Sequence, residues 1–95
     1  MKTYVIERDI PGVDKLNAEQ LKGAAATSNA ALAKLGSDKV QWVESFVAAD
    51  KTFCIYRAEN EDKIREHAEK SGFPASKISE VKTVIDPATE HLTAA

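Results

Sequence analysis

The sequence predicts a single α+β domain with the element order β-α-β-β-α-β. A short β-branched run is followed by a capped, amphipathic helix. Two alternating segments are joined by a tight turn, as in a β-hairpin. A second capped helix is cut off by Gly72 and Pro74 before a last apolar run.

The first strand is expected over Thr3–Glu7, where Tyr4, Val5 and Ile6 favour extended backbone, and Pro11-Gly12 stops it. The first helix starts at Asn17, with Gln20 three residues on to complete a capping box. Leu16 and Leu21 flank that cap as a hydrophobic staple. Leu21, Ala24, Ala25, Ser28, Leu32 and Leu35 then recur at helical spacing, and Gly36 ends the run. The alanines predict that this helix lies close to whatever it covers.

Val40–Val47 alternates and reads as a strand, Ala48-Ala49-Asp50-Lys51 as the turn, and Thr52–Tyr56 as the return strand. Symmetric pairing sets Ser45 opposite Cys54, and a one-residue bulge would move that register. Asn60 caps a second helix that runs through Ser71, with Ile64, His67, Ala68 and Ser71 on its inner side. Glu61–Arg65 and Glu66–Lys70 are expected as i,i+4 pairs. A last strand is expected within Ile78–Ile85, closed by Asp86-Pro87.

This order is the ferredoxin-like plan, a four-stranded antiparallel sheet with both helices on one face. Residues 1–86 form the domain, and residues 87–95 are expected as a mobile tail. Strand alternation puts Trp42 and Phe46 on one face of their strand, and Val43 and Val47 on the other. The sheet face away from the helices is then apolar and bare. The expected cover is a second copy, giving a homodimer joined through the sheet face, a dimeric α/β barrel.

The 95 residues carry 13 basic and 15 acidic side chains, a net charge of −2, with 43% hydrophobic and 29% charged residues. That excludes a disordered tail and a disulfide scaffold. It gives no attraction to nucleic acid or to an anionic membrane surface. No apolar run approaches the roughly 18–20 residues that span a bilayer. No signal peptide is evident, and the lone Cys54 has no partner for an internal disulfide, so the expected compartment is the cytoplasm.

Four stretches resemble one small bacterial family: Tyr4–Arg8, Val40–Val47, Asp50–Tyr56 and Glu66–Pro74. They are similar to the nickel-binding, ferredoxin-like domain family, over residues 2 to 85. The resemblance implies a homodimer and binding of nickel or another divalent transition metal, and it implies no enzyme activity. His67 matches the family's histidine on the second helix. Before the proline, where nickel-binding relatives carry a second histidine, this chain has Phe73, and its first helix contains no histidine.

The candidate metal ligands are therefore His67, Cys54, Glu7 and Glu44, a mixed nitrogen, sulfur and oxygen set. Arg8, Arg57 and Lys82 are candidate partners for the two carboxylates. Trp42, Phe46 and Tyr56 are candidates for a ligand pocket or for the dimer interface. No phosphate loop, nucleophile elbow or zinc-type spacing is present, so no catalytic residue is assigned. The main reading is a non-catalytic, homodimeric divalent-metal binding protein. The alternative is a small α/β-barrel enzyme, a monooxygenase or isomerase, acting on a hydrophobic molecule with His67, Glu7 or Tyr56 as acid or base.

Overall fold

The computed structural model describes residues 1–93. It has strands β1 (Lys2–Asp9), β2 (Val40–Val47), β3 (Lys51–Ala58) and β4 (Lys77–Glu80), with helices α1 (Ala18–Leu35) and α2 (Glu61–Ser71). The strands form one antiparallel sheet in the order β2-β3-β1-β4. This is the ferredoxin-like arrangement that the sequence predicts.

Both helix starts are built as expected. The Asn17 side chain accepts from the Gln20 amide at 2.9 Å, and the Gln20 side chain accepts from the Asn17 amide at 3.0 Å. Asn60 caps α2 through the Lys63 amide. Gly72 ends α2 with φ of 80°, a left-handed conformation that glycine adopts without strain. Of the two expected charge pairs on α2, Glu61–Arg65 forms at 3.1 Å. Glu66 instead pairs with Lys63 at 3.3 Å.

The core lies between the sheet and the helices. Tyr4, Ile6, Cys54, Tyr56 and Ala58 point inward from β1 and β3, and Ile64 meets them from α2. Leu32 and Leu35, in the C-terminal half of α1, pack against this cluster. The N-terminal half of α1 does not close on the sheet, as its alanines had suggested it would. Leu21, Ala24 and Ala25 border a cleft there, and Leu21 is exposed.

Strand β2 departs from simple alternation. Ser45 does pair with Cys54, but the register shifts between Trp42 and Glu44, leaving Val43 as a bulge. Trp42 thus pairs with Tyr56 and joins the helix side, whereas Phe46 pairs with Phe53 on the open side. Trp42 and Phe46 do not share a face. The aromatic residues of the open face are Phe46 and Phe53, and Phe46 is 54% exposed.

Strand β4 falls at the start of the expected stretch and begins one residue before it. It is bonded to β1 from Glu7 to Tyr4, and the Val81 amide makes one more bond, to the Thr3 carbonyl. Val84 and Ile85 are left 78% and 76% exposed. Within the expected tail, Pro87–His91 forms a 3₁₀ turn capped by Asp86. The last two residues of that tail, 94 and 95, lie outside the described residues.

Candidate functional site

The period-two pattern of β1 turns Tyr4, Ile6 and Arg8 to the helix side. Arg8 therefore enters the interior and is only 2% exposed. Its Nη1 donates to the Pro74 carbonyl at 2.9 Å and to the Phe73 carbonyl at 3.4 Å. The guanidinium also lies over the rings of Tyr56 and Phe73, 5.8 and 6.0 Å from their centres. Its Nη2 has no partner, and no carboxylate pairs with Arg8 among the described residues. Arg8 is thus no counter-ion for Glu7 or Glu44, which lie on the other face of the sheet.

Beside Arg8 runs a short hydrogen-bonded chain. Ser28 Oγ, on α1, is 3.1 Å from both Tyr56 Oη and His67 Nε2. His67 is fully buried, and its Nδ1 has no partner. Burial, and then the positive charge of Arg8, push the His67 pKa down to about 4, so the imidazole is neutral at pH 7. Burial also raises the Tyr56 pKa, against the opposing Ser28 hydrogen bond, so the phenol stays protonated.

Under α1, Arg8, Ser28 and Tyr56 meet a cleft of about 500 Å³. Trp42, Cys54 and Tyr56 contribute the sheet wall, Leu21 and Ala24 the helix wall, and Phe73 one end. Arg8 is the one charged residue of the lining. The volume lies within the range of small-molecule sites.

The expected metal set is divided by the sheet. Cys54 and His67 lie on the helix side, Glu7 and Glu44 on the open side. Lys51 Nζ is 3.3 Å from Glu7 Oε1, and Glu44 is exposed. No group of three or more His, Cys, Asp or Glu comes together among the described residues. His67 is moreover enclosed next to a buried cation, which repels a metal ion. A single copy of the chain does not fit nickel through these four residues. Of the expected pocket residues, Trp42 and Tyr56 line the cleft and stack at 6.4 Å, whereas Phe46 lies on the open face.

Arg8, Ser28 and Phe73 were not foreseen as site residues. Their signals were nevertheless present: Arg8 falls on the buried phase of β1, and Ser28 interrupts an apolar stripe.

The fold and this interior define a small ferredoxin-like domain with a cleft between sheet and helix. The chain belongs to the family described as nickel responsive protein SCO4226-like, whose profile matches residues 4–81. Among solved structures it is similar to SCO4226 from Streptomyces coelicolor A3(2), with a TM-score of 0.70 and 17% identity. That match covers 87% of this chain and 99% of the other. No curated protein matches. No helix among the described residues is long and apolar enough to cross a membrane.

Proposed function

We propose that this chain is a non-catalytic, nickel-responsive binding protein of the cytoplasm that works as a homodimer joined through its open sheet face. The observation that carries the dimer is the open face itself. Phe46 is 54% exposed there beside Phe53, with Val5 and Ile55 in the neighbouring register positions. A face of that composition is covered at lowest free energy by another like it. Membership of a nickel-responsive family supports the metal.

Because one copy does not assemble a donor set, metal uptake rests on the assembly. Glu7 and Glu44 lie on the face that a second copy covers, so pairing doubles the carboxylates in that layer. The test is light scattering coupled to gel filtration, with calorimetric nickel titration of metal-stripped protein. The wild type is expected as a dimer that binds nickel. Phe46→Glu is expected as a folded monomer with nickel affinity lowered about tenfold or more, a loss of about 1.4 kcal/mol. A monomeric wild type would refute the dimer. An unchanged nickel affinity in the monomeric variant would refute the shared metal site.

The cleft of about 500 Å³ favours a second reading, in which the protein takes up a hydrophobic small molecule. A cleft between sheet and helices is also what the alternative of an α/β-barrel enzyme, of monooxygenase or isomerase type, requires. Of the expected acid–base groups, Tyr56 is on its wall, His67 lies behind Ser28, and Glu7 is on the opposite face. That placement supports binding over catalysis.

A further inference from the structure

Arg8 is a charge buried without a counter-ion. Moving a guanidinium out of water is costly unless charge and hydrogen bonds are returned to it. Here two backbone carbonyls satisfy Nη1, aromatic rings flank the plane, and Nη2 is left without a partner. The same residue is the single charge in the wall of an otherwise largely apolar cleft. A cation held in this way lacks one thing, an anion. The fork geometry of arginine matches a carboxylate, whose oxygens accept parallel N–H bonds.

We propose that the cleft under α1 binds an apolar organic molecule bearing a carboxylate, with the Arg8 guanidinium as its counter-ion. The inference rests on the small-molecule reading of the cleft and is independent of the metal. The apolar body of the ligand lies against Leu21, Ala24 and Trp42. Its carboxylate reaches the end of the cleft formed by Phe73 and Pro74, whose carbonyls already hold Arg8. Phe73 is half-buried with its ring centre 6.0 Å from the guanidinium, and displacement of that ring is the route proposed for the carboxylate to reach Nη2. Ser28 and Tyr56 stand beside this end as neutral hydroxyl groups.

The test uses matched probes: hexanoate, 4-phenylbutyrate and indole-3-butyrate, each against its primary amide, on the full chain at pH 7. Trp42 is the single tryptophan and lines the cleft, so its fluorescence reports occupancy for the first two pairs. Calorimetry reports the indole pair. At least one acid is expected to bind about tenfold or more tighter than its amide, the size of a charge-assisted hydrogen bond. In Arg8→Gln that preference is expected to vanish while amide binding persists. Equal binding of acid and amide to the wild type would overturn the carboxylate proposal and leave the cleft as a neutral apolar site. Binding of no probe would overturn the cleft reading itself. If Arg8→Gln fails to fold, the wild-type acid-to-amide ratio still decides, together with Phe73→Ala. That variant is expected to raise acid affinity by opening the way to Arg8, and a fall would count against the proposed route.

Discussion

Ser28 Oγ lies 3.1 Å from His67 Nε2 and so joins the two helices through a buried polar contact. The same hydroxyl reaches Tyr56 Oη at 3.1 Å, which ties both helices to β3. A serine in an alanine-rich helix face is thus the junction of the interior. Its removal would leave the imidazole and the phenol without the partner that offsets their burial.

Ser28→Ala is therefore expected to destabilise the fold by about 1–2 kcal/mol, although alanine is the better helix former. Urea unfolding at pH 7 measures this. A variant as stable as the wild type would show that the junction is energetically neutral.

Acid is expected to weaken the fold through His67. The unfolded imidazole protonates near 6.5, the folded one only near 4. Between those values the unfolded chain binds more protons, so stability falls as pH drops from 6.5 towards 4. The loss is at most about 3 kcal/mol. In His67→Gln, the stability difference between pH 7 and pH 4.5 is expected to shrink. An undiminished difference would place the acid sensitivity in other groups.

Deleting Val43 is expected to leave the fold intact. The residue is the bulge of β2 and is exposed, and its removal lets Trp42 and Glu44 continue a regular ladder. Deleting Ser45 instead would send Phe46 towards the helices and Val47 to the open face. The measurement is thermal melting, with a cooperative transition for the first deletion and a strongly lowered one for the second.

Nickel affinity is expected to be unchanged in His67→Gln, because this side chain is fully buried, engaged by Ser28 and close to Arg8. Calorimetric titration of metal-stripped protein checks it. A tenfold loss would place nickel in the interior after all.

Much of the fold was legible because its signals are local. Asn17 with Gln20, and Asn60 with Gly72, set both helices to within a residue of their observed limits. The hairpin was legible in the same way, and Ser45 does stand opposite Cys54. The faces of β2 were misread because a bulge depends on pairing with β3 and leaves no mark in β2 alone. Strand β4 was located only to within Ile78–Ile85, because its limits, Lys77–Glu80, depend on the pairing with β1. The candidate metal set was assembled from residue chemistry, and the sheet then separated its acids from its thiol and imidazole.

By itself the sequence determined the order of elements, the helix limits and the covered sheet, since caps, turns and period are properties of neighbouring residues. Only the tertiary structure decided that Arg8 is buried without a counter-ion beside Ser28, Tyr56 and His67. Those side chains come from four separate elements, β1, α1, β3 and α2, and their meeting is a consequence of packing. Burial removes the water that would otherwise screen and solvate each group. A common arginine and a common histidine thereby acquire properties that neither has in the chain alone.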